Sequence, residues 1–150
     1  MLDVDRVWAR CAQRFPGMKL SDYRLQVVTL SVTLATGAAA QNQPVPIGAG
    51  AIIFGILAAA QPTGSAATQT YRPGLDSFSL LASYQADNRQ IIGTVEGIGS
   101  SIFGPYGDQF PGLEIILPQN TAIQYNFTNL TTTTIQITLA HHCLFKGAVG

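Results

Sequence analysis

Two hydrophobic periods divide the chain. Val4, Val7, Trp8, Cys11 and Phe15 recur at the three- and four-residue spacing of one helical face. Arg6, Arg10 and Arg14 form a stripe on another face of the same segment. Asp3 and Asp5 stand at its start, where the positive end of a helix favours acids. Pro16-Gly17 ends the pattern. A helix of about a dozen residues does not hold in water alone. Its apolar face must therefore dock, either on its own domain or on a neighbouring subunit.

Beyond Pro16-Gly17 the period becomes two. In 24–35, Val28, Leu30, Val32 and Leu34 alternate with Thr29, Ser31 and Thr33, which predicts a strand with one apolar and one hydroxyl face. The stretch 38–46 reads as a polar, Pro-containing connection, with a short edge piece at 45–47. The apolar run 51–60 predicts a strand covered on both faces, and 61–72 a loop rich in small residues. Strands are expected over 75–84 and 90–95, joined at the Ala86-Asp87-Asn88 turn as a hairpin. The glycines and prolines of 97–112 predict loop, followed by strands over 113–117, 121–127 and 133–145. Turns at Pro118-Gln119-Asn120 and Asn129-Leu130-Thr131 separate these last three. About seven or eight strands with turn signals every 8–12 residues predict an antiparallel two-sheet sandwich or barrel of jelly-roll type. The domain organisation expected is a helical arm over 1–20 and one β-sandwich over 21–150.

Composition sharpens this reading in one direction. The 150 residues are 47% hydrophobic and only 11% charged, with no net charge, against about 25% charged in an ordinary domain. Such a surface has little colloidal protection as a free monomer. Thr, Ser, Asn and Gln solvate it, or other subunits cover it. Five of the eight basic residues, Arg6, Arg10, Arg14, Lys19 and Arg24, lie in the first 24 positions. This is too sparse for a nucleic-acid footprint, although it suits an acidic protein surface. Cys11 and Cys143 are too few for a disulfide framework and are expected to be free, buried thiols. No secretory leader is read at the start, and no run is long enough to span a bilayer. The glycosylation-like triplets at Asn126 and Asn129 are discounted accordingly.

Candidate chemistry is scarce. His141, His142 and Cys143 are the only clustered soft ligands. On a strand, His141 and Cys143 share one face and His142 takes the other. No metal-ligand spacing accompanies them, so no metal site is expected. No nucleophile elbow or phosphate cradle is present. Eight acids, mostly at turns and near the start, leave few candidates for acid–base work. No enzymatic activity and no cofactor are expected. The most distinctive local feature is 102–112, where Phe103, Tyr106 and Phe110 sit between glycines and prolines. These rings either plug the end of the sandwich or face another subunit, since aromatic residues are enriched in interface cores.

The order of elements resembles that of the small β-sandwich accessory proteins of tailed-bacteriophage heads, the cement or decoration proteins. The resemblance is carried by the short basic helix, the Thr-rich strand, the Tyr71-Arg72-Pro73-Gly74 turn leading to Phe78, the Phe103-Gly104 and Phe110-Pro111-Gly112 loop, and the Asn129-Leu130-Thr131 turn before the final Ile/Thr strand. It spans roughly residues 24–146 in style and transfers no specific binding residue. It implies a jelly-roll-like virion subunit, assembled in the host cytoplasm, that reinforces a shell of major capsid proteins. Such a subunit is a homo-dimer or homo-trimer with no cofactor, no direct nucleic-acid partner and no membrane partner. Residues expected to meet a partner are Val4, Val7, Trp8, Cys11 and Phe15 with Arg6, Arg10 and Arg14 on the helix, and Phe103, Tyr106 and Phe110 in the aromatic loop. The competing reading is a carbohydrate- or receptor-binding module of a phage fibre or tail, with the same three rings beside Asp108 and Glu114.

Overall fold

A computed structural model describes residues 4–14, 16–17, 19–45, 47, 51–63, 74–104, 107, 115–116 and 122–146. The first helix, α1, spans Val4–Arg14. Eight strands follow: β1 (Tyr23–Leu34), β2 (Ala39–Pro44), β3 (Ile52–Pro62), β4 (Phe78–Tyr84), β5 (Gln90–Ile98), β6 (Ile115–Ile116), β7 (Ile123–Asn129) and β8 (Ile135–Lys146). A second short helix, α2 (Gly99–Phe103), interrupts them after β5.

The strands form two four-stranded sheets, and every described pairing is antiparallel. One sheet has the order β1-β8-β3-β6 and the other β2-β7-β4-β5. Apart from the β4–β5 hairpin, each successive strand lies in the sheet opposite its predecessor. The period-two pattern explains why one core results. Ile135, Ile137, Leu139, His141 and Cys143 turn inward from β8, and Ile123, Tyr125 and Phe127 turn inward from β7. Phe78, Leu80 and Ala82 complete that layer from β4. The rings of Phe78 and Phe127 meet edge to face at 6.3 Å, a favoured aromatic geometry.

β3 is buried on both faces from Ile52 to Ile56, as its unbroken apolar run predicts. The β4–β5 turn is built by Asn88, whose φ of 56° suits an Asn. The Asp87 carboxylate accepts the Arg89 N–H at 3.0 Å, and the Arg89 guanidinium lies 4.8 Å from the Tyr84 ring.

Three segments depart from the sequence expectation. The polar stretch 39–44 is a strand, not a connection: β2 pairs only with β7 and lies at a sheet edge, where Pro44 is tolerated. Within 97–112 the chain continues β5 to Ile98 and then coils into α2. Gly99 is required there, because a Cβ would lie 2.7 Å from both the Leu75 carbonyl oxygen and the Phe78 ring. Residues 75–77, read as strand, belong to a 3-10 turn at Gly74–Ser77. The expected loop at 61–72 and turn at 118–120 fall largely outside the described residues.

Candidate functional site

The clustered His and Cys residues occupy the interior. Unbroken pairing of β1 with β8, from Tyr23↔Lys146 to Leu34↔Ile135, carries β8 past its histidines. His141 is therefore within the sheet and fully buried. Its Nδ1 lies 3.0 Å from the Val28 carbonyl oxygen on β1. A carbonyl only accepts, so Nδ1 carries the proton and Nε2 accepts from the Tyr125 hydroxyl at 2.7 Å. That second bond runs from β8 to β7 and joins the two sheets through the core. Burial, partly opposed by the Val28 bond and assisted by His142, pushes the His141 pKa down to about 4. Burial, and secondarily Cys143, pushes the Tyr125 hydroxyl far above its ordinary range. Burial pushes the Cys143 thiol up to about 12. At neutral pH the three groups are an uncharged, protonated-thiol cluster, suited to holding the sheets together. Cys143 is a free thiol. Among the described residues no group of three His, Cys, Asp or Glu side chains could hold a metal ion.

Asn129 makes a second tie. Its amide nitrogen lies 2.8 Å from the Thr133 carbonyl oxygen, 3.0 Å from that of Ala35 and 3.2 Å from that of Leu34. Its Oδ1 accepts from the Thr131 N–H at 2.9 Å and the Thr131 hydroxyl at 2.7 Å. The glycosylation-like triplet at 129 is thus a buried clasp holding the end of β1 against the turn into β8.

The outer faces carry the surface chemistry. On the β2-β7-β4-β5 sheet the Glu96 carboxylate accepts from the hydroxyls of Ser79 and Thr128 at 2.7 and 2.8 Å. The Gln124 amide donates to Asn88 Oδ1 at 2.7 Å, and the Asn42 N–H donates to Asn126 Oδ1 at 2.8 Å. The other sheet is different. Register places three residues in each outer row across β1, β8 and β3: Leu25, Leu144 and Ile52; Val27, His142 and Gly55; Thr29, Ala140 and Leu57; Ser31, Thr138 and Ala59; Thr33, Gln136 and Gln61. No Asp, Glu, Lys or Arg stands in these rows. His142 packs edge-on against Phe54 with ring centroids 6.1 Å apart. Leu25 and Val27 are 54% and 48% exposed.

The residues expected to meet a partner divide as follows. Trp8 is half-buried and its ring centroid lies 6.2 Å from that of Tyr23, so α1 touches the start of β1 in its own chain. Arg6 is exposed on α1. Phe103 is wholly buried, so its ring fills the interior and presents nothing to a partner. Phe15, Tyr106 and Phe110, together with the side chains of Val4, Val7, Arg10, Cys11 and Arg14, lie outside the described part of the structure. Sequence reading passed over Leu25 and Val27. Their odd positions, opposite the apolar set of β1, were the available signal.

No protein-family model matches the sequence, and no curated protein matches it. Among solved structures, the chain is similar to a chain of one titled "Cyanophage Pam1 capsid asymmetric unit". The two are 18% identical over 85% of this chain and 90% of that one, with a TM-score of 0.40. Function is not transferred across a likeness of that size.

Proposed function

We propose that the chain is a non-enzymatic virion structural protein, a jelly-roll cement or decoration subunit that binds and reinforces a shell of major capsid proteins. The observation that carries this reading is the pair of strand orders, β1-β8-β3-β6 and β2-β7-β4-β5. Numbered along the chain, an eight-stranded jelly roll of two Greek keys interleaves its strands in this way, and that architecture serves viral capsids and lectins. Charge supports the choice between those uses. Five successive outer rows without a formal charge, ending before the row that pairs Tyr23 with Lys146, suit close packing among many identical neighbours, because few like charges oppose one another. The carbohydrate-binding alternative loses one of its three rings, since buried Phe103 is not available to stack on a sugar.

The partners in this reading are the major capsid protein and neighbouring copies of the chain, and the place of action is the virion. The test is co-sedimentation with shells assembled from the cognate major capsid protein. Stoichiometric binding that raises the temperature of shell disruption is expected, and loss of residues 1–16 should weaken binding at least several-fold while the sheets stay folded. A protein that stays in the supernatant and leaves shell stability unchanged would overturn the proposal.

A further inference from the structure

Two four-stranded sheets have four edges, and the described residues of two of them carry protection. β6 is described over two residues, Ile115–Ile116. β2 is interrupted by a register shift between Ala40 and Gln43, with Asn42 at a φ of 52°, and it ends in Pro44. β5 has two register shifts against β4 and presents the Glu96 carboxylate. Short length, bulges, proline and charge are the devices that stop an edge from pairing with another chain.

β1 has none of them in its body. It runs for 12 residues and pairs with β8 in unshifted register throughout. It contains no Pro and no Gly, and Arg24, near one end, is its only formal charge. The strand is open to solvent, with Leu25, Val27, Thr29, Ser31 and Thr33 all exposed.

We infer that β1 is the contact through which two copies of this chain pair, edge to edge and antiparallel about a twofold axis near Thr29, joining their sheets into one of eight strands. The inference is independent of the shell reading and needs only the fold. A second copy fits this edge better than an unrelated strand for three reasons. A twofold axis normal to the sheet keeps outer face with outer face, so the strand complements itself. Thr29 then faces its own symmetry mate, a favourable cross-strand pair, while Val27 faces Ser31 and Leu25 faces Thr33 of the other copy without opposing charges. The two Arg24 side chains fall at opposite ends of the seam, about 30 Å apart at strand spacing, well beyond the range of salt-screened repulsion. A strip about 40 Å long and about 10 Å across, the thickness of a sheet with its side chains, covers roughly 400 Å² on each copy, the size of a reversible, concentration-dependent contact.

The test is the native mass of the full chain by light scattering across a dilution series, with two edge variants and one control. Wild type should give twice the chain mass. Val27→Lys and Thr29→Lys should each raise the dimer dissociation constant at least tenfold, with an unchanged far-ultraviolet spectrum. Should either variant fail to fold, the other carries the test. Val95→Lys, at an exposed apolar position away from the seam, should leave the dimer intact. Amide exchange adds a second reading: β1 amides that exchange quickly on dilution should be protected when the dimer is populated. A wild-type monomer at ~100 μM, a trimeric mass, or an assembly that survives both lysines would each overturn the inference.

Discussion

The two outer sheet faces have similar residue types and opposite finish. On the β2-β7-β4-β5 sheet, polar side chains bond to one another: Glu96 to Ser79 and Thr128, Gln124 to Asn88, and Asn126 to the backbone of Asn42. That sheet has register shifts along both of its edges, whereas the other has one, between Ile53 and Gly55 in the β3–β8 pairing. On the β1-β8-β3-β6 sheet, β1 and β8 pair without a break. Its outer face grades from aliphatic rows at Leu25 and Val27 to hydroxyl and amide rows at Ser31 and Thr33. The lateral bonds there are both 3.3 Å, Ser31–Thr138 and Gln61–Gln136, as long as the longest on the other sheet, Gln124–Ser83. The difference teaches that polarity alone does not make a surface complete. One face consumes its own hydrogen-bonding capacity, whereas the other leaves hydroxyls, aliphatic carbons and a backbone edge available to an external partner.

The comparison can be broken at the tie the two sheets share. Asn129→Ala removes both halves of the clasp that joins β7, the end of β1 and the turn before β8, leaving buried backbone groups unpaired. A loss of about 4 kcal/mol is expected by denaturant unfolding, since each orphaned buried group costs about 1–3 kcal/mol. A loss below about 1 kcal/mol would show that water replaces the amide.

Acid should loosen the seam somewhat less. His141 binds its proton at about 4 in the folded chain and near 6.5 when unfolded. Between those values the unfolded state holds more protons, so stability is full above about pH 6.5 and falls as the pH drops towards 4. The integrated loss is roughly 3 kcal/mol. His141→Gln should lower stability at neutral pH and flatten this part of the profile. A mutant profile as steep as that of wild type would place the acid sensitivity elsewhere.

The smallest effects sharpen the contrast between the faces. Glu96→Ala should cost about 1 kcal/mol, because its two hydroxyl donors lose their acceptor at a solvent-exposed site. Val27→Thr on the other sheet should stay within about 0.5 kcal/mol in the separated chain, since its side chain is open to water. Equal costs at the two positions would mean that the faces are equally finished.

Much of this was legible in the residues. Alternation located β1, β4 and β8, because their core-facing positions repeat every second residue, while an unbroken apolar run located β3 and flanking turn signals located β7. It passed over β2, since an edge strand made of Gln, Asn and Pro buries too little to show a pattern. It passed over α2 as well, where Gly99 reads as a loop signal yet is selected by the closeness of Leu75 and Phe78. The shared face of His141 and Cys143 followed from strand geometry and Cys143 was expected to be buried, whereas the depth of His141 did not follow. Depth depends on β1 and β3 flanking β8, and Val28 lies 113 residues from His141. The same non-locality hid the exposed edge. Leu25 and Val27 could be assigned to the outer face, but no local pattern states which strand has a neighbour on one side only.

That non-locality also sets an order of events during synthesis. β1 touches its sheet only through β8, which leaves the ribosome long after it, and β3 pairs with β8 along most of its length and with β6 at Ile52 and Ile53. Until residues 135–146 emerge, the sheet has no centre and its earliest strand, β1, has no partner in it. Folding therefore waits on a long loop closure, the slow step of non-local β topologies. During that wait the Thr- and Val-rich segment 25–34 is displayed as an unpaired strand, so a nascent chain is most vulnerable to mispairing just before the last strand arrives.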